Sequence, residues 1–173
     1  MSFKTNLFRF LFISVLGVLL HFTYAWTNDN PVVGLFSAVN ESTWEHLKLL
    51  FFPMLLLTLI EVFGSGQKLP DTFLCARVWG MLSGMAAIVV CFYTLSGVLG
   101  RNFDPLNIAL YFFGVFFALR VENRRYQKPG CSTVAAAAIL FLLTAAFFVF
   151  TFYPPAIGLF ADPTLTAAPP DTP

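Results

Sequence analysis

The sequence predicts an all-α membrane bundle of five transmembrane helices, and three observations lead there. First, 58% of the 173 residues are hydrophobic and only 11% are charged. A soluble domain keeps its surface in water with about 25% charged residues, so this chain has too few charges to coat itself. Second, five mostly apolar stretches reach roughly 20 residues, the length that crosses a hydrocarbon core. Third, turn-forming residues separate each stretch from the next.

Taken in order, the first span is read at about residues 7–26, before Asn28-Asp29-Asn30-Pro31. The second, at about 45–63, stops at Gly64-Ser65-Gly66, and the third, at about 72–99, at Gly100-Arg101-Asn102. A fourth, at about 105–121, precedes Arg124-Arg125 and Pro129-Gly130, and the fifth, at about 131–153, is halted by Pro154-Pro155. Together they form one membrane domain over about residues 1–160, and the Pro-, Thr- and Ala-rich end, 161–173, is expected to be disordered. No internal repeat is visible.

Orientation follows from the cations, which favour the cytoplasmic loops of membrane proteins. With the N-terminus in, Lys4, Arg9, Lys68, Arg77, Arg120, Arg124, Arg125 and Lys128 are cytoplasmic, against Lys48 and Arg101 outside. The C-terminal tail is then outside, as in a multi-pass protein of the inner or plasma cell membrane. A competing reading makes Lys4, Arg9, the first apolar run and Thr23-Tyr24-Ala25 a signal peptide cut after Ala25. The length of the run and the interfacial aromatics Tyr24 and Trp26 favour a retained span. Net charge is +1, which implies no nucleic acid; the expected partner is the lipid bilayer.

Cys75 and Cys91 fall on one helix sixteen residues apart, about 24 Å at the helical rise, well beyond the roughly 7 Å that a disulfide tolerates. With Cys131 they are read as small apolar residues in or beside spans.

The densest polar run beside a span is Asn40-Glu41-Ser42-Thr43-Trp44-Glu45-His46-Leu47-Lys48. Much of it has an architectural reading. Ser42-x-x-Glu45 is a capping box, whose serine and glutamate each satisfy an orphan amide at a helix start. Trp44 reads as an interface anchor and Lys48 as a snorkelling cation. His46 is left over. The chain has one other histidine, His21, near the end of the first span and at the same predicted level. A short connection makes the two spans antiparallel neighbours, so their imidazoles are expected to meet.

Helical spacing aims several of these groups inward. Ser14, Gly17, His21 and Tyr24 step by three and four, a small or polar stripe that should face protein rather than lipid. His46, Leu50, Pro53, Leu57 and Glu61 share a face of the second span, and Pro53 frees the carbonyl of Leu49 within it. Glu61, on the inner side, is expected to snorkel, with Arg77 or Lys68 as an alternative partner. The third span carries Ala76, Gly80, Ser83, Gly84, Ala87, Cys91 and Thr94 on one stripe, where Gly80-x-x-x-Gly84 is a close-packing device. In the fourth, Asp104, Asn107, Tyr111, Gly114 and Ala118 repeat the pattern, with Asp104 as N-cap before Pro105.

The candidate outer-face site therefore comprises His21, Tyr24, Asn40, Glu41, Glu45, His46, Lys48, Asp104 and Asn107, with Asp162 able to fold over from the end of the chain. Two imidazoles and a carboxylate are suitable ligands for zinc or another divalent transition metal. Glu45 and His46 diverge by about 100° on a helix, which makes Glu41 the better companion for His21 and His46. The H-E-x-x-H spacing of zinc proteases is absent, as are a P-loop, G-x-G-x-x-G and G-x-S-x-G.

His21-Phe22-x-Tyr24, the run from Val33 to Lys48, and Pro154-Pro155-x-Ile157-Gly158-Leu159-Phe160-x-Asp162-Pro163 together resemble a family of small multi-span bacterial membrane proteins. That family is designated domain of unknown function sixty-five twelve. Its most specific part here is Asn-Glu-Ser-x-Trp-Glu-His-x-Lys; Ala38 stands where proline would be expected. The resemblance supplies no activity and implies that His21 is retained in the mature protein.

Three functions are compatible with these residues. The cluster binds a metal or works as an enzyme on a lipid or periplasmic small molecule; or it is an ion, proton or solute site in a small transporter, with Glu61 and Pro53 on an inward path; or the polar groups lock helices in an accessory subunit that binds another membrane protein or a second copy of itself.

Overall fold

The computed structural model describes residues 3–64, 66, 69–100, 103–126, 128 and 131–163. Its elements are α1 (Phe3–Trp26), α2 (Pro31–Gly34), α3 (Thr43–Gly64), α4 (Phe73–Leu99), α5 (Asp104–Arg125), α6 (Thr133–Phe152) and a 3-10 turn, Gly158–Phe160. All but α2 and the 3-10 turn are long and apolar enough to cross a membrane. The chain is thus an all-helical membrane protein. Of the tail expected to be disordered, 164–173 lies outside the described residues, as do Lys68 and Arg101.

α3 is the most enclosed helix and packs on both α1 and α4. Its Leu50, Phe51 and Met54 join Ile13, Met81, Val115 and Ala118 in a fully buried centre. The glycine stripes do what small residues do in membranes, which is to let backbones approach. A Cβ on Gly84 would meet Ala118 Cβ at 2.7 Å and Gly114 O at 2.9 Å, so α4 and α5 lie nearly backbone to backbone there. Further along α4, the predicted stripe turns away. Ser83, Ala87 and Cys91 are half-buried and Thr94 is exposed, while Met81, Met85 and Ile88 form the buried row.

Tyr111 ties three helices together. Its hydroxyl lies 2.9 Å from Ile13 O and 3.3 Å from Leu49 O, the carbonyl that Pro53 leaves without its helical donor. Gly17 makes room for it, because any Cβ there would overlap both Tyr111 Oη and Leu49 O.

Several sequence expectations are corrected by long-range contacts. Glu61 does not snorkel: it pairs with Arg77 and, at 3.2 Å, with Arg9 Nε. Arg9 and Arg77, counted above as loop charges, are 1% and 0% exposed, and both also bind Glu122, which is likewise 0% exposed. One charged residue from each of α1, α3, α4 and α5 thus closes a neutral four-membered ring. Arg77 also donates to Met54 O at 3.2 Å and lies over the Phe73 ring. Both cations sit on Glu122 Oε1; Oε2 has no hydrogen-bond partner among the described residues.

Trp44, read as an interface anchor, packs with Phe147, Phe150 and Phe160, joining α3 to α6 and the 3-10 turn. Cys75 and Cys131 are not independent apolar residues: they form a disulfide between the starts of α4 and α6, with Cα atoms 6.0 Å apart. Cys91 is a free thiol.

Candidate functional site

The connection from α1 to α3 is stiff and cross-braced. Asn28 and Asp29 take left-handed backbone angles, φ 52° and 57°, which Asn and Asp tolerate best after glycine. Asn30 then caps α2, accepting from Val32 N at 2.9 Å, with Pro31 in the first turn. Ser37 folds back onto α1, where its hydroxyl donates to Leu20 O and accepts from Tyr24 N at 3.1 Å. The Tyr24 ring packs against Gly34.

The capping box forms only by half. Ser42 Oγ accepts from Glu45 N at 3.3 Å, but the Glu45 carboxylate reaches past Ser42 to Val39 N at 3.0 Å. Ser42 N is served by Asn40 Oδ1 at 2.9 Å. Lys48 does not snorkel. It is 0% exposed, pairs with Glu45 at 2.5 Å and donates to Gly34 O and Ser37 O at 2.8 and 3.2 Å. A carbonyl pair and a carboxylate satisfy the ammonium better there than headgroups would, because the loop brings them to it. Tyr24, Asn40, Glu45 and Lys48 therefore brace the loop from behind.

That bracing presents Glu41 to both histidines. Glu41 Oε2 lies 3.4 Å from His46 Nε2, and Oε1 lies 3.9 Å from His21 Nε2. The two imidazole centroids are 5.2 Å apart, and one donor atom from each of the three residues lies within 4.8 Å of the others. Glu41 N in turn approaches Asp162 Oδ2 at 3.3 Å, so the segment after α6 folds onto this end. His46 Nδ1 sits 2.9 Å from Ser42 O. A carbonyl oxygen only accepts, so this contact is made by a proton on Nδ1, and Nε2 is the ring nitrogen nearer Glu41.

Beside the three residues is a cavity of ≈ 610 Å³. Asp104 and Asn107 line it, as do Thr43 and Pro163, with Ile88, Phe92, Ile108 and Leu110 forming the apolar wall and Tyr111 contributing as well. The helix of Asp104 begins one residue earlier than expected: Asp104 is its first residue and Phe103 the N-cap. Sequence reasoning did not name the apolar wall, though stepping four from Gly84 lands on Ile88. It also missed Glu122, which lies four beyond Ala118 on the α5 stripe.

A family model matches residues 4–167, nearly the whole bundle. The chain belongs to DUF6512, a family of unknown function. No curated protein and no solved structure matches the chain.

Proposed function

We propose that His21, Glu41 and His46 bind one divalent transition metal ion, zinc by donor type, and that the site activates water for hydrolysis of a molecule held in the adjoining cavity. The observation that carries this reading is the spacing of the donors around an open side. Bonds of about 2.1 Å in a tetrahedral shell put neighbouring donors about 3.4 Å apart. His46 Nε2 lies 3.4 Å from Glu41 Oε2 and His21 Nε2 lies 3.9 Å from Oε1, and one donor from each of the three lies within 4.8 Å of the others. Three protein ligands with a free position are the pattern of catalytic rather than structural zinc. The proton on His46 Nδ1, held by Ser42 O, fixes the tautomer that such a ligand needs. Asp104 and Asn107 supply the polar groups that would handle the proton and orient the substrate.

The transporter reading has less support. Between the histidine end and Glu61 the centre is filled by Ile13, Leu50, Met54 and Val115, and Tyr111 bridges the backbones of α1 and α3.

The site is assigned to the non-cytoplasmic face of the inner or plasma membrane, with the N-terminus in the cytoplasm. Removing the buried Arg9, Arg77 and Lys48 from the loop cations leaves Lys4, Lys68, Arg120, Arg124, Arg125 and Lys128 against Arg101, or 8 − 2 = 6 to 2 − 1 = 1. The positive-inside rule still holds. It places the Cys75–Cys131 pair on the reducing side, where disulfides are rare, so the bond present in the structure is expected to be open in the cell.

Metal analysis of protein purified without chelator tests the reading. About one zinc per chain is expected, and the double variant His21→Ala/His46→Ala should lose it. Equal metal in both proteins would overturn the assignment.

A further inference from the structure

The walls of the cavity divide by depth. Glu41, Asp104 and Asn107 lie at or near the helix starts on the histidine end. On α4, which ends at Leu99, Phe92 and Ile88 stand seven and eleven residues below that end (99 − 92 and 99 − 88). At the helical rise this is about 10 and 16 Å down, and half of a hydrocarbon core is about 15 Å. The lining is therefore polar toward the histidine end of the bundle, and on α4 it is apolar further from that end. Tyr111, held by backbone carbonyls of α1 and α3, lies among the deeper lining residues. Its volume of ≈ 610 Å³ is that of a small-molecule site.

We propose that the occupant is a single-chain membrane amphiphile, a long-chain acyl ester or amide. Its carbonyl sits at His21, Glu41 and His46, and its chain runs down along Ile88, Phe92, Ile108 and Leu110. The chain part stands on the cavity alone, whereas the carbonyl part rests on the metal-site reading above. A soluble substrate would leave the apolar wall facing water, and a wholly apolar one would cover the partly exposed Glu41, His21 and His46 without offering them a polar contact, which costs more. An amphiphile satisfies both halves in the orientation that it already has in the bilayer. The reaction that fits is hydrolysis. Water adds to the carbonyl carbon, the bond from that carbon to the alcohol oxygen or amine nitrogen breaks, and the leaving atom takes the proton that the water gives up. The products are a fatty acid and an alcohol or amine, with no change in oxidation state.

The test uses the full chain in lipid nanodiscs and a palmitic acid analogue carrying a diazirine in its chain, which mimics the acid product. Photolabelling should concentrate in peptides containing Ile88–Phe92 and Ile108–Tyr111. Excess palmitic acid should compete it away, butyric acid should not, and Ile108→Trp should abolish it. Ile108 is exposed, so this variant should fold, and the competition needs no variant at all. Zinc should raise labelling in the natural protein and leave it unchanged in His21→Ala/His46→Ala. Labelling that spreads equally over lipid-facing positions such as Phe141 and Leu142 of α6, or that butyric acid also competes, would overturn the chain-binding proposal even if zinc binding holds. Cavity labelling that ignores zinc in both proteins would keep the chain site and remove the carbonyl placement.

Discussion

The two ends of this bundle use the same kinds of charged group to opposite effect. At the arginine end, Arg9, Glu61, Arg77 and Glu122 are drawn from four helices into a neutral ring with little access to the surroundings. At the histidine end, His21, Glu41 and His46 approach one another while keeping partial exposure, and a cavity opens beside them. Charges that neutralise each other inside a membrane fix which helices are neighbours. Groups held close at partial exposure beside a cavity are the basis of the ligand site proposed above. The same contrast recurs within the connecting loop, where Glu45 and Lys48 are consumed by bracing and Glu41, four residues from Glu45, is not.

The sharpest way to break the comparison is to damage the ring. Glu122→Ala removes the carboxylate that both buried guanidinium groups share, and breaking a buried pair costs about 3–5 kcal/mol. Thermal unfolding in detergent should show a large loss of stability, with metal content per folded chain unchanged. Arg77→Met combined with Glu122→Leu should be milder than Glu122→Ala, since removing both charges leaves fewer of them unpaired. If the double variant is the worse of the two, the ring is not the lock described here.

Next in size is the crossing at Tyr111. Gly17→Ala forces a methyl against Tyr111 Oη and Leu49 O, and overpacking of this sort costs about 1–3 kcal/mol. Tyr111→Phe in the same chain removes one of the two clashing oxygens and should recover part of that loss in the same melt. Alone, Tyr111→Phe should cost about 1 kcal/mol, the worth of one hydrogen bond.

The smallest effect on stability is expected at the candidate site. His46→Ala removes a half-exposed side chain and should shift stability by only about 0.5 kcal/mol, while abolishing zinc binding. A large fall in stability with metal content intact would recast the histidine end as a second structural lock. Last, alkylation of intact cells with a membrane-permeant maleimide should label Cys131, the exposed partner of the pair, without prior reduction. Protection that reductant removes would place the arginine end in an oxidising compartment and reverse the orientation.

Much of the bundle was legible because spans are written in local chemistry. The length of an apolar run, the prolines and glycines at its ends, and steps of three and four all lie within one helix. They suffice to find five spans and to turn Gly17, His21, Leu50 and Gly84 toward protein. Glu41 was preferred to Glu45 on helix geometry alone, since neighbours on a helix point apart. Glu122 lies one step of four beyond Ala118 on the α5 stripe, but nothing local marks it as buried, because its partners come from α1 and α4.

What the sequence could not supply is who pairs with whom. Arg9 meets Glu122 across 113 residues and Cys75 meets Cys131 across 56, and Lys48 finds its carbonyls only after the loop has folded over it. The physical reason is that hydropathy distinguishes water from everything else. A side chain leaving water gains nearly the same from lipid as from a protein interior, so composition and periodicity determine that a helix crosses the bilayer and which face is polar. Only the packing of helices against one another decides whether a polar group on that face is neutralised, as in the arginine ring, or left to receive something else, as at the histidines.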